Sequence, residues 1–426
     1  MRVVSAVLFS TASFLTAFVV AYGWKDVANG KAPQIGTVTR ALGIGSPAET
    51  AVEPTKAFLQ TIANIDAHFY GSIERKKLTY AGLEGAMDSL DDPYTVLMEP
   101  EEAQKFAERS TGQFQGTGGI GAELTPDPLG ARIRRVFRDS PAKAAGLKAE
   151  DVITKVNGVI VPGKVLDDVV KTIRGEVGTE VRLQIYRESE KTSLNFVVSR
   201  AVVKIQDVYG EILQGQSLVG KPKIGRLEVR SFSERIVEQF DQELDILDNA
   251  GIQGLIIDLR GNPGGLLNAA VQMASRYVDG KLICTMKRRG GDPEKYFAMQ
   301  GVVRARDYPI IILIDENSAS AAEIFAGALH DYKIADLVGK HTFGKGLVQT
   351  TKLLPDGAEV KITIGRYYLP NGESVQRIEG ENGEYLDGGI KPDFTVEFKR
   401  GGVAGDPVKD TQLAASVERL LSKIKR

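Results

Sequence analysis

Ile310-Ile311-Ile312-Leu313-Ile314, followed by Asp315-Glu316-Asn317-Ser318-Ala319-Ser320 and then Ala321-Ala322-Glu323-Ile324, is an apolar run, a polar turn and the opening of an apolar segment at helical spacing. A strand feeding a helix through a short turn is the repeating unit of α/β proteins. The turn puts Ser320 where the free N–H groups of a helix start point outward, a position that suits a helix cap or a nucleophile. Ser320 and Glu323 also have the S-x-x-E spacing of a capping box, in which each side chain satisfies the other's backbone donor. Taken alone, the stretch reads as a capped helix.

The same pattern occurs twice upstream. Residues 224–229 read as a strand with an amphipathic helix over 233–249, and 255–259 as a strand with a helix over 266–277. Repeated strand–helix pairs predict parallel strands joined by crossover helices, with active sites gathered in the loops that feed the helices. Downstream, 347–354, 359–364 and 367–369 read as strands around the Pro355-Asp356-Gly357 turn. After Lys399 a glycine-rich break precedes an amphipathic helix over 411–424, expected to pack on the body or on a second subunit.

A length of 426 residues leaves room for two or three domains, and 42% hydrophobic with 26% charged is ordinary globular composition. The net charge of -1 gives no electrostatic case for nucleic acid or for an acidic membrane surface. One cysteine, Cys284, excludes an internal disulfide and a Cys-based zinc cluster. Three histidines, His68, His330 and His341, leave few routes to a histidine triad or a His-rich metal site.

Residues 3–24 carry no charge and follow Arg2, long enough to span a hydrocarbon core of about 30 Å. They are expected to form an uncleaved anchor in the inner membrane, with the remainder exported to the bacterial periplasm or cell envelope. Residues 31–54 are rich in Gly, Pro, Ala and Thr and read as a linker. From 55 to 109 the apolar spacing is helical, broken by Asp91-Asp92-Pro93-Tyr94.

Between 113 and 200 short Val/Ile-rich runs bounded by Gly and Pro predict a compact β-rich module with one helix over 165–173. Gly118-Gly119-Ile120-Gly121, Ser140-Pro141-Ala142, Ala145-Gly146-Leu147, Asp151-Val152-Ile153 and Val156-Asn157-Gly158 resemble a PDZ domain. A glycine turn exposing backbone N–H groups can hold a terminal carboxylate while the adjoining strand edge pairs with an extended peptide. Arg174, after the module's helix, is a candidate regulatory contact to a neighbouring domain.

Residues 339–345 fit the first seven positions of a phosphate-binding loop, but the eighth is Gly346, where a Ser or Thr would ligate Mg²⁺. Lys345 has another use: a lysine can be the general base for a serine if desolvation or a nearby cation keeps it neutral. In one extended strand Gln349 would share its face, where an amide orients the amine without raising its pKa. Ala321 N–H and the loop Arg260-Gly261-Asn262-Pro263-Gly264-Gly265 offer backbone donors for an oxyanion.

Asp258-Leu259-Arg260-Gly261-Asn262-Pro263-Gly264-Gly265, Ser318-Ala319-Ser320-Ala321-Ala322-Glu323 and Phe343-Gly344-Lys345-Gly346-Leu347-Val348-Gln349 resemble, in order and spacing, three signature segments of the C-terminal processing, or tail-specific, serine proteases. The resemblance implies Ser320 as nucleophile, Lys345 as general base, Gln349 as its orienting residue, and Ala321 with Gly264 or Gly265 as oxyanion hole. Glu323 would serve the fold. It further implies an α/β multidomain protein: an anchor or signal (1–25), a linker (26–54), a helical region (55–112), an inserted PDZ domain (113–200), a crotonase/ClpP-like protease core (201–399) and a tail helix (400–426).

The expected activity is a Ser-Lys endopeptidase that needs no metal, nucleotide or other cofactor. Its expected partners are proteins with accessible C-terminal tails, a regulatory or adaptor protein and a second copy of the chain. A catalytically silent PDZ adaptor and a crotonase-like acyl-CoA enzyme are the alternatives. A Ser-His arrangement is disfavoured because His330 lies ten residues along the same helix from Ser320, about 15 Å of rise; spacing leaves His341 open.

Overall fold

The computed structural model describes residues 48–112, 118–215, 218–304, 306–380, 382, 384–399, 405, 406 and 408–424. The anchor expected over 3–24 lies outside them, as does the linker as far as residue 47. Two compact units divide after Ser89. The first contributes α1 (Ala48–His68) and α2 (Arg75–Asp88). Helix α1 already runs through residues 48–54 and contains Pro54, so that part of the expected linker is helical. Gly82 lies so close to Phe58 that a Cβ there would stand 2.8 Å from the ring, which lets the two helices meet.

The second unit opens with β1 (Val96–Met98) and α3 (Pro100–Thr111). The region expected to be helical thus contains a strand, after the Asp-Asp-Pro break. The β-rich module follows as β2 (Ala122–Asp127), β3 (Gly130–Val136), α4 (Pro141–Ala145), β4 (Val152–Val156), β5 (Val159–Ile160), α5 (Leu166–Ile173), β6 (Glu180–Arg187) and β7 (Thr192–Ser199). Its sheet runs β2-β3-β4-β6-β7, with β5 on β4. In β6, Val181, Leu183 and Ile185 are buried at every second position and meet Ile133, Ile153 and Val169, the period of a half-buried strand.

The larger body continues with β8 (Val208–Ile212), β9 (Ile224–Val229), α6 (Ile236–Asn249), β10 (Gly254–Asp258), α7 (Leu267–Ala274), β11 (Leu282–Arg288), β12 (Glu294–Phe297), β13 (Ile310–Ile314), α8 (Ala321–Asp331), β14 (Ala335–Gly339), β15 (Leu347–Leu353), β16 (Glu359–Tyr368), β17 (Ile378–Glu379), β18 (Tyr385–Asp387), β19 (Phe394–Thr395) and α9 (Thr411–Ile424). One sheet has the order β19-β14-β13-β10-β9-β8 and is parallel except for β8. Every residue of β10 and β13 is buried because both faces are covered. Leu255, Ile257, Ile310 and Ile312 pack in the cluster of α6, α7 and α8. Ile256, Ile311 and Leu313 meet Leu413, Val417 and Leu420 of α9. The terminal helix therefore packs on the body, and each fully buried leucine contributes roughly 1.5–3 kcal/mol.

A second sheet runs β12-β11-β16, with β1 and β15 also on β16. Residues 359–368 form one strand in place of the two expected, because β16 changes partners along its length, from β1 to β11, without breaking. The result is a multidomain α/β fold with a β-rich module inserted ahead of a larger core.

Candidate active site

Ser320 stands at the start of α8 with φ 57 and ψ -115, a conformation that residues with a Cβ rarely adopt. Several bonds hold it there. Its N–H donates to Glu323 Oε2 at 2.7 Å, its carbonyl accepts the Glu323 N–H at 2.9 Å, and the Tyr367 hydroxyl donates to the same carbonyl at 3.3 Å. The expected capping box is present: the Glu323 carboxylate takes the Ser320 N–H, and the Ser320 side chain faces the Glu323 N–H, whose hydrogen bond itself goes to the Ser320 carbonyl.

Glu323 is fully buried and reaches further than a cap does. Its carboxylate also accepts from the N–H groups of Gly344 and Lys345 at 2.8 and 2.9 Å and from the Thr342 hydroxyl. Burial pushes its carboxyl above the ordinary value, although these donors favour the charged form. One carboxylate thereby ties the serine turn to the lysine loop.

Lys345 is half-buried, with Nζ 4.8 Å from the centroid of the Tyr94 ring. Burial lowers its pKa and the nearby Lys361 ammonium lowers it further, while Glu323 and Asp92 pull the other way. Among the described residues Nζ makes no hydrogen bond. Such contacts are often long before substrate is in place.

Gln349 does not follow from strand parity. Lys345 precedes β15, and the register shifts between Val348 and Gln349, so alternation does not connect the two side chains. Its amide instead approaches the Thr363 hydroxyl at 3.4 Å. The Thr363 N–H donates to Thr95 Oγ1, that hydroxyl donates to Asp92, and Asp92 accepts the Tyr94 N–H. Burial pushes the Asp92 carboxyl up, but the Thr363 and Thr95 hydroxyls, with the Tyr94 and Thr95 N–H groups, outweigh it and leave its pKa below the ordinary value. Tyr94, Asp92, Thr95, Lys361 and Thr363 are neighbours of the site that sequence reasoning missed. The one available signal was the Asp-Asp-Pro-Tyr interruption of a helical pattern.

The glycine loop does converge on the serine. A Cβ at Gly264 would lie 2.8 Å from Ser320 Cβ and 2.9 Å from the Ala321 nitrogen. Buried Asn262 fixes the loop: its amide donates to the Val229 carbonyl, its Oδ1 accepts the Gly264 N–H at 2.8 Å, and its carbonyl accepts the Ala319 N–H. The Gly264 N–H is therefore committed. The N–H groups of Gly265 and Ala321 have no partner among the described residues. Arg260 anchors the same loop by bonding Asp258 and Asp410.

The remaining candidates separate. His330 is in the last turn of α8 and pairs with Asp393 at 3.1 Å. His341 stacks on Tyr385 with centroids 4.3 Å apart. Residues 340–346 lead into strand β15, not into the helix that a phosphate loop requires. In the β-rich module the N–H groups of Gly118 and Gly119 pair with Gly175 and Ala201, so two of the four expected carboxylate donors are taken. Those of Ile120 and Gly121 have no partner among the described residues. Strand β2 is the open edge of its sheet and α5 packs against it. Arg174, just beyond α5, lies 3.6 Å from Glu108 of α3.

Residues 223–396 match peptidase family S41 and residues 118–198 match the PDZ domain family. The carboxy-terminal processing protease CtpA of Bacillus subtilis is 34% identical over 335 residues, 78% of this chain and 67% of that protein. Carboxy-terminal processing protease CtpB of the same organism is 32% identical over 348 residues, 81% and 70% of the two chains. A solved putative S41 protease from Bacteroides fragilis shares the fold, with a TM-score of 0.52 at 17% identity over 84% of this chain and 92% of that one.

Proposed function

The chain belongs to peptidase family S41, serine endopeptidases of the Ser-Lys, C-terminal processing type with a PDZ domain, and on that premise we propose that Ser320 is the nucleophile, Lys345 the general base and Gln349 the amide that orients the base. The observation that carries the assignment is the Glu323 carboxylate, which receives the N–H groups of both Ser320 and Lys345. In this reading neutral Lys345 takes the proton of Ser320 as Oγ attacks the scissile carbonyl. The oxyanion accepts hydrogen bonds from Ala321 and, of the two glycines, from Gly265; Gly264 supplies close approach instead. Lys345 then gives its proton to the leaving amine. Water, deprotonated by the same lysine, hydrolyses the acyl-enzyme and restores the Ser320 hydroxyl.

The PDZ domain recognises protein substrates. We propose that Ile120 and Gly121 hold the tail carboxylate while the peptide extends along β2. Arg174 has a regulatory role in this proposal, since Glu108 ties it to α3, next to the strand that pairs with β16. The expected domain boundaries are carried forward with it, with the linker ending before the helix that starts at Ala48, as is a crotonase/ClpP-like identity of the core, supported by the layered parallel sheet. So are export to the bacterial cell envelope or periplasm with 3–24 as inner-membrane anchor, control by an adaptor protein, and a homo-oligomer favoured by the exposed Phe58, Leu59 and Phe69.

Cleavage of an unfolded protein with an apolar C-terminus tests the site. Ser320→Ala and Lys345→Ala are each expected to lose at least about 10²-fold in rate while still binding a tail peptide. Undiminished cleavage by either variant overturns the assignment.

A further inference from the structure

The segment between β16 and β17 passes close over the lysine loop. Val375 is buried in the main core cluster and its carbonyl accepts the Gly389 N–H at 2.8 Å, which fixes the segment. The next two residues turn to the loop. The Arg377 N–H donates to the Gly344 carbonyl at 2.7 Å, and Gln376 Oε1 accepts the Gly346 N–H at 3.1 Å. Gly346 offers only a donor there, so the half-buried Gln376 amide must present its oxygen, while its Nε2 donates to the Arg377 carbonyl at 3.4 Å. The approach is tight. A Cβ at Gly346 would stand 2.8 Å from the Gln376 nitrogen and 3.0 Å from its Cα, which accounts for glycine where a phosphate loop has Ser or Thr.

The backbone of Lys345 is thus held from two sides. On the α8 side Glu323 takes the N–H groups of Gly344 and Lys345. The peptide unit beyond the lysine Cα, which ends in the Gly346 nitrogen, is held by the Gln376 side chain. Because peptide units are planar, fixing the two that meet at a Cα fixes its φ and ψ and so the direction of its Cβ.

Resting on the assignment of Lys345 as general base, we propose that Gln376 is a positioning residue for that base: its amide oxygen sets the 345–346 peptide and so aims the lysine side chain at the serine turn. Gln349 acts on the amine; Gln376 acts on the backbone that carries it. An uncharged amide suits the place. Glu323 and Asp92 already favour the ammonium form, Lys361 opposes them, Tyr94 faces Nζ, and the Arg377–Glu379 ion pair lies within electrostatic reach of Tyr94. A carboxylate at 376 would be a third anion on the side that keeps the base protonated.

The test measures kcat and KM across pH for the full chain, Gln376→Ala and Gln376→Glu, with tail-peptide binding and a thermal melt beside them. Gln376→Ala loses the acceptor. Its kcat plateau at high pH should fall by about tenfold or more, the scale of a misplaced catalytic group, with KM and tail-peptide affinity little changed. Gln376→Glu keeps an acceptor for Gly346 and adds charge, so it should recover most of the plateau while its rising limb moves to higher pH and activity at neutral pH falls several-fold. A merely structural role would lower the melt and leave the limb of Gln376→Glu in place. A wild-type plateau in Gln376→Ala, a plateau in Gln376→Glu no higher than that of Gln376→Ala, or an unmoved limb in Gln376→Glu overturns the positioning role. If Gln376→Ala does not fold, the limb of Gln376→Glu decides. Undiminished cleavage by Lys345→Ala would instead overturn the base assignment beneath it.

Discussion

A Cβ at position 264 would lie 2.7 Å from the Ala319 carbonyl oxygen and 2.8 Å from Ser320 Cβ, on a backbone with φ +96. Gly264→Ala must therefore push the glycine loop away from the serine turn, in addition to roughly 1–2 kcal/mol of backbone strain. Because Gly265 moves with it, kcat is expected to fall by about 10²–10³, the scale of a lost oxyanion donor. The strain and the loop displacement together should lower the melting temperature by several degrees, at roughly 2–4 °C per kcal/mol, with the chain still folded. Peptide kinetics beside a thermal melt will check this, and a parallel loss of folding would contradict it. Asn262 belongs to the same scale. Its Asn-Pro-Gly-Gly context is visible in sequence, but its bonds to Val229 and Ala319 span 33 and 57 positions and have no local signature.

Strand β16 shows what an element adds. It carries Lys361 and Thr363 and pairs with β1, β11 and β15, so it brings the turn before β1 together with the lysine loop. Lys361 disfavours the charged form of Lys345, reinforcing the larger effect of burial, while Glu323 and Asp92 oppose both. In the proposed mechanism Lys345 must be neutral to accept a proton, so activity should rise with pH through its pKa, which lies below that of an ordinary lysine. Lys361→Ala removes a repelling cation and should raise that pKa. The kcat/KM profile then moves to higher pH, and activity at neutral pH falls several-fold, since one pKa unit is a factor of ten in the neutral fraction. A profile that stays in place or moves to lower pH would remove Lys361 from the account. Tyr94 faces the same ammonium, and its ring stabilises the cation.

Across the whole molecule, the PDZ module meets the core through exchanged charges. Glu123 of β2 receives two bonds from Arg230, at 2.6 and 3.0 Å, and Arg135 of β3 makes two to Glu228, at 3.1 and 2.8 Å. Tyr209 lies beneath both guanidinium groups, with centroid distances of 4.3 and 6.0 Å. A double-mutant cycle on Glu123 and Arg230, read by denaturant unfolding, is expected to give a coupling of about 1 kcal/mol that weakens with salt, because the pair is partly exposed. No coupling at low salt would mean that the module is held by other contacts. Arg230 directly precedes Ser231 and Phe232, which bond the Gly264 carbonyl, so the seam adjoins the glycine loop proposed to hold the oxyanion.

Local chemistry determined what the chain reveals unaided. Apolar runs and helical spacing placed the strand at 310–314 and the terminal helix at 411–424 with the observed bounds. The Ser320, Lys345 and glycine segments were legible because each is a short motif. Tertiary structure decided what depends on distant contacts: that α9 covers the sheet, that Gly264 spends its N–H on Asn262 while Gly265 keeps its own, and that a bulge cancels the Lys345–Gln349 parity. It also decided that Glu323 bridges the serine turn and the lysine loop. Periodicity reports which face of an element is apolar; it carries no record of which distant donor a buried carboxylate will find, since that pairing is set only when the sheets close around it.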